Sequence, residues 1–173
     1  NTTVDAYRAP GFSITKDCLW AFDVIAECGI KYDSSVFPAQ RAHGGLKEAP
    51  IAQPFLLRTT NNNTLIELPI NTKKLFGQIP IVFGGGGYFR LMPYFLLKKW
   101  FLQETYVMTY FHPRDFDDKQ PKIPGLNIYR SFKAFYGLSR TRRKLNQILA
   151  LSDFNHNLEN ARPKEIFDLT SIS

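Results

Sequence analysis

Cysteine, methionine and histidine are scarce in this chain: two, two and three among 173 residues. Cys18 and Cys28 fall in one stretch that reads as helix, where a rise of about 1.5 Å per residue separates them by roughly 15 Å. A disulfide needs Cα atoms within about 7 Å, so both thiols are expected to be reduced, in keeping with a cytoplasmic location. No Cys/His spacing matches a zinc site. No apolar run approaches the roughly 18 residues that span a bilayer, and no basic-then-apolar signal segment opens the chain. A chain that starts at Asn1 rather than Met is expected to follow a cleavage or to lie within a longer protein.

What is present is a globular composition. Apolar residues make up 44% and aromatics 14%, which excludes disorder. The length predicts one domain over 1–173. Lys and Arg total 22 against 15 acids, a net charge of +7. That balance suits an anionic polymer, a lipid diphosphate, a membrane surface or nucleic acid. The densest basic run, Arg140 with Arg142, Arg143 and Lys144, reads as a solvated helix face. No nucleic-acid motif accompanies the aromatics, so nucleic acid is not an expected partner.

Periodicity predicts a short strand from Val4 to Arg8, ended by Pro10 and Gly11. Thr15 caps a helix from about Lys16 to Cys28, with Leu19, Phe22, Val24, Ile25 and Ala26 as a broad apolar face, Lys16, Asp23 and Glu27 on the other side, and Gly29 as its stop. Ile30 to Asp33 is extended. Residues 34–63 read as a long irregular connection, which in a compact domain is usually functional or wrongly assigned. Thr64–Ile70, Ile79–Phe83 and, most convincingly, Tyr106–Phe111 read as strands. Met92–Gln103 and a segment from about Ser139 read as helices. The tail, 156–173, looks loose. Trp20 and Trp100 lie on apolar helix faces and are expected in the core. His43 and His156 are expected at the surface. The order of elements predicts an α/β fold with parallel strands.

Arg8 and His112 stand where predicted strands end, the place active sites occupy in β/α barrels. His112 is therefore either an acid/base group or a partner of a neighbouring loop, and Arg8 either a site residue or a structural ion-pair partner. Asp33-Ser34-Ser35 is either a turn signal or a carboxylate that orients His112. Gly84 to Gly87 lacks the spacing of a P-loop or a dinucleotide fingerprint. It is either a plain turn or a close-approach wall for a bulky sugar, with Tyr88 or Arg90 as contacts. The acids of His112 to Asp118 read as solvated rather than metal-binding. The sequon Asn62-Asn63-Thr64 marks an exposed loop.

Taken in order, six segments resemble the C-terminal portion of bacterial polysaccharide deacetylases, the exopolysaccharide-biosynthesis branch of the NodB-type carbohydrate esterases. They are Tyr7-Arg8-Ala9-Pro10-Gly11-Phe12-Ser13-Ile14, Gly29 to Pro38, Glu67-Leu68-Pro69, Gly85 to Leu91, Tyr110 to Asp117, and Gln120-Pro121. The likeness covers about Tyr7 to Asn155. It implies the C-terminal part of a deformed (β/α) barrel and metal-dependent hydrolysis of an acetyl group on an N-acetylated sugar polymer or its lipid-linked precursor. A cytoplasmic or membrane-peripheral location in a bacterium follows from the same likeness. In that family one Asp and two His hold a divalent metal such as Zn²⁺, a second Asp is the base, and a His protonates the leaving amine. By position Arg8 matches the Arg that orients the base, His112 the acid, and Asp33 the carboxylate that partners His112. Tyr88, Arg90 and Phe12 are the expected substrate contacts. Arg114-Asp115 stands where many relatives carry Trp-Glu. The family's Asp-Asp pair and His-x-x-x-His precede the Arg-x-Pro segment, yet only seven residues precede Arg8 here, and His43, His112 and His156 cannot form that motif. The metal ligands are therefore expected outside this chain, and the chain alone is expected to be inactive. The rival reading is a non-catalytic carbohydrate-binding remnant of the barrel.

Overall fold

The computed structural model describes residues 3–39, 44–50, 53–75, 77, 79–151, 158 and 161–172. The chain is mixed α/β and divides into two compact units, residues 1–72 with 156–173, and residues 73–155. His43 and His156 lie outside the described residues.

The first unit is a five-stranded sheet with one helix. Its strands are β1 (Ala6–Tyr7), β2 (Tyr32–Asp33), β3 (Phe55–Arg58), β4 (Thr64–Glu67) and one that closes the chain (Ile166–Asp168). Their order across the sheet is β1, β2, β4, β3 and then that last strand. β1, β2 and β4 run parallel, as the alternation of elements implies, while β3 is antiparallel to β4. α1 (Trp20–Glu27) crosses between β1 and β2. It is preceded by a 3₁₀ turn, Lys16–Cys18, whose Asp17 amide donates to Thr15 Oγ1 at 3.3 Å. Gly29 stops the helix at φ 82°, with its amide on the Ala26 carbonyl. Phe22, Ile25, Phe55, Leu57, Leu65 and Leu169 form the core. Strand alternation explains it, since Phe55 and Leu57 are buried while Leu56 and Arg58 are half-buried.

Several expectations fail in this unit. Residues 34–63 are not irregular throughout, because the Phe-Leu-Leu-Arg run after Pro54 forms β3. The tail is not loose: the last strand pairs parallel with β3, and Leu169 is fully buried. Asp23 does not face water. It is 5% exposed and accepts from the Thr60 hydroxyl and, at 2.8 Å, the Asn61 amide, which fastens α1 to the β3–β4 hairpin. That arrangement turns Trp20 and Val24 outward, at 65% and 47% exposure, instead of into the core.

The second unit carries β5 (Thr72–Leu75) paired with β6 (Ile79–Val82), then α2 (Gly86–Leu91), α3 (Tyr94–Gln103), α4 (Ile128–Phe135) and α5 (Leu138–Leu149). The sheet-closing strand Ile166–Asp168 is accordingly β7. Ile81, Phe83, Phe89, Leu97, Phe101 and Ile148 are buried together, with Trp100 packed against them. Their rings meet edge to face, Phe83 with Phe101 at 5.3 Å and Phe89 with Phe111 at 5.0 Å. Tyr106–Phe111 is not a strand. It makes a single bridge, Gly85 to Tyr110, and Phe111 packs on the rings of Phe89 and Phe116. Lys144 is half-buried, and its ammonium donates to the carbonyls of Arg90 (2.7 Å) and Met92 (2.6 Å) at the end of α2. A cation there satisfies carbonyls that the helix leaves unpaired. Arg140, Arg142 and Arg143 are exposed, as expected of that run, whereas Lys144, its fourth member, is not. Among the described residues no helix is long and apolar enough to cross a membrane.

Candidate functional site

The three parallel strands of the first unit end side by side. The ladder pairs Tyr7 with Asp33, and Asp33 with Glu67. Paired positions in a parallel ladder project the same way, so Asp33 and Glu67 face one side of the sheet at its C-terminal edge. Both are 0% exposed. Arg8, the next residue after β1, is half-buried beside them.

Hydrogen bonds hold this edge in one arrangement. Ser35 donates twice to Asp33, from its amide to Oδ2 at 3.0 Å and from its hydroxyl to Oδ1 at 2.7 Å. The same hydroxyl accepts from the Ala9 amide at 2.8 Å. Arg8 Nη2 donates to Ser34 Oγ at 2.8 Å and Nε to the Ser34 carbonyl at 3.2 Å. Ser34 Oγ in turn donates to the Leu68 carbonyl at 2.7 Å. Glu67 Oε1 accepts from the Val36 amide at 2.9 Å. The Asp-Ser-Ser sequence is therefore both a turn and a scaffold for the carboxylate.

Glu67 is the member that the sequence reading did not single out. Burial drives its carboxyl well above the usual carboxylate range, the adjacent Asp33 charge and hydrogen bond add to the rise, and the Val36 amide and Arg8 oppose it. Its second oxygen, Oε2, accepts no hydrogen bond among the described residues. A proton on Glu67, donated to Asp33, answers both facts, because it removes one of two adjacent negative charges and turns the orphaned oxygen into a donor. The signal in the sequence was an acid at the inward-facing end of an apolar strand.

His112 belongs to the second unit. The imidazole is exposed, with its ring 4.8 Å from that of Tyr110. Its backbone is fixed by a reciprocal cap, in which the His112 amide donates to Asp115 Oδ2 at 2.9 Å and the Asp115 amide to the His112 carbonyl at 2.8 Å. The structure thus brings Arg8 and Asp33 together in one unit and builds His112 into the other.

The expected sugar contacts divide. Tyr88 is half-buried at the start of α2. Phe12 is 2% exposed and packs against Phe37 at 5.7 Å, so its ring serves the core and not a ligand surface. Arg90 is 5% exposed and pairs with Asp115 at 3.1 Å, which makes it a structural cation. The glycine wall faces its own chain: a Cβ on Gly85 would lie 1.8 Å from the Tyr110 carbonyl oxygen. Glycine is required there for backbone passage.

The described residues do not fit the expected divalent metal. No group of three His, Cys, Asp or Glu among them is arranged to hold an ion. Asp33 and Glu67 are engaged by Ser35 and Val36, with Arg8 as a neighbouring positive charge.

Residues 34–161 match the model of a family described as a domain of unknown function (DUF3473). The chain belongs to this family. No curated protein and no solved structure matches it. The DUF3473 match takes in Asp33's neighbours Ser34 and Ser35, Glu67 and His112, and begins after Arg8.

Proposed function

We propose that this DUF3473 chain is part of a polysaccharide deacetylase, a NodB-type deformed (β/α) barrel that removes acetyl groups from N-acetylated sugars during exopolysaccharide synthesis. The observation that supports this reading most is the convergence of Arg8, Asp33 and Glu67 at the C-terminal ends of three adjacent parallel strands, where α/β enzymes assemble their sites. The order of the six sequence segments supports it from a separate direction. A divalent ion would polarise the acetyl carbonyl in such an enzyme. Its ligands would come from polypeptide other than the residues described. In this reading Arg8 orients the base, and Asp33 is the buried carboxylate of the same strand edge. His112 protonates the leaving amine, a role its exposed imidazole can serve.

The experiment is acetate release from an N-acetylhexosamine oligomer with added Zn²⁺. This chain alone should release none, and the natural gene product with its flanking polypeptide should release acetate. Asp33→Asn and His112→Gln should each lower that rate at least a hundredfold, the usual scale of a general acid. Saccharide binding without hydrolysis by the full product would overturn the proposal and favour a carbohydrate-binding module.

A further inference from the structure

The chain's net charge has a single source. Between Lys119 and Lys144 stand eight Lys and Arg and no Asp or Glu, while the rest of the chain holds fourteen cations against fifteen acids. The same stretch exposes its largest apolar side chains. Ile128 is 90% exposed, Phe132 49% and Tyr136 37%, one every fourth residue along α4 and past its end. That spacing places Ile128 and Phe132 on one face of α4. Arg140, in the next helix, α5, holds its guanidinium 5.3 Å from the Tyr136 ring centre. The rings of Phe132 and Tyr136 stand 4.6 Å apart. Ile123, in the loop ahead of α4, is 52% exposed. Lys119, Lys122 and Arg130 are exposed as well.

We propose that this row is a docking surface for an anionic lipid bilayer. Ile128, Phe132 and Tyr136 enter the headgroup–acyl boundary, and the surrounding cations meet the lipid phosphates, the pattern of a short interfacial helix. A soluble polyanion would engage the cations and leave Ile128 and Phe132 in water. A bilayer engages both, and the lack of any acid across the stretch removes the groups that a negative surface would repel. One short helix gives reversible attachment rather than anchoring. The proposal is independent of the deacetylase reading.

The test is co-sedimentation of the full chain with vesicles of phosphatidylcholine alone and of phosphatidylcholine mixed with phosphatidylglycerol. The chain should bind only the mixed vesicles, and less as salt rises. Arg130→Gln with Arg140→Gln should weaken binding about 25-fold, at about fivefold for each cation near an anionic surface. Ile128→Asp with Phe132→Asp should abolish it and leave the thermal melt unchanged. An Ile128→Trp chain, which asks nothing of the fold, should shift its emission to the blue on mixed vesicles beyond any shift of the unsubstituted chain. Failure to bind the mixed vesicles overturns the proposal. So does binding that ignores the apolar pair, heparin binding in place of vesicle binding, or self-association in solution that the apolar pair of substitutions removes.

Discussion

In the first unit two carboxyls, Asp33 and Glu67, are fully buried side by side at a strand edge; in the second, Arg90 and Asp115 are buried facing each other at 3.1 Å. Burial is alike and charge is opposite. A cation and an anion attract each other, so the second pair, with the His112 amide on Asp115, can sit in the core and join α2 to the loop after His112. Two anions cannot, so the first pair needs Ser35, Val36, a nearby guanidinium and a proton. A like-charged pair at the C-terminal ends of parallel strands fits a chemical task, whereas an opposed pair inside an aromatic cluster fits a structural one.

The largest effect should come from breaking the opposed pair. Asp115→Ala leaves a buried guanidinium and should cost about 3–5 kcal/mol in urea unfolding. Arg90→Met combined with Asp115→Leu should recover most of that loss. Equal losses in the single and double variants would show that the two residues do not act as a pair.

The like-charged pair should respond to pH instead. Folded Glu67 holds its proton to a higher pH than unfolded Glu67 does, so its contribution to stability is complete below the ordinary Glu value and is lost as pH rises through the folded value. Chemical melts across that window should show stability falling by at most about 1.4 kcal/mol per pH unit. Glu67→Gln keeps a donor for Asp33 and should flatten the slope. An unchanged slope would place the titration elsewhere.

Lys144→Met removes the ammonium from the Arg90 and Met92 carbonyls and should cost about 1–2 kcal/mol by thermal melt. The smallest effect should be at Asp23. Burial pushes this carboxyl up, but hydrogen bonds from Thr59, Thr60 and the Asn61 amide together hold it below the usual value. Its contribution is therefore present above the ordinary Asp value and lost as pH falls through the folded one. Asp23→Asn should cost about 1 kcal/mol at neutral pH and nothing in acid. Within one unit Asp23 and Glu67 thus predict pH slopes of opposite sign, which makes the pair of variants a sharper test than either alone.

Much of this was legible in the residues. Gly29 and Thr15 marked the ends of the first helical segment, α5 followed from its spacing, and Arg8 was placed at a strand end, while Asp33 was read as a partner of His112, which belongs to the other unit. The failures share a cause. Thr, Tyr, Val and Phe in Tyr106–Phe111 favour extended backbone, but a strand also needs a free neighbour, and here Phe111 found Phe89 and Phe116 instead. Trp20 and Asp23 sit three residues apart on α1, and the side that faces inward was decided by the Thr60 and Asn61 partners, which are remote in sequence. Glu67 was missed although alternation puts it on the face of buried Leu65, and its register with Asp33 shows what it meets there.

The pairing of β3 with β7 sets a timetable for biosynthesis. Arg58 and Asp168 meet 110 positions apart, and Leu169 fills the core only after them. The first unit therefore waits, its sheet short of one strand, while the ribosome makes all of the second. Closing so long a loop costs little more free energy than closing one half its size, but it takes time. During that interval the unfinished flank of β3 is open to any other extended segment, including a second nascent copy of the same polypeptide.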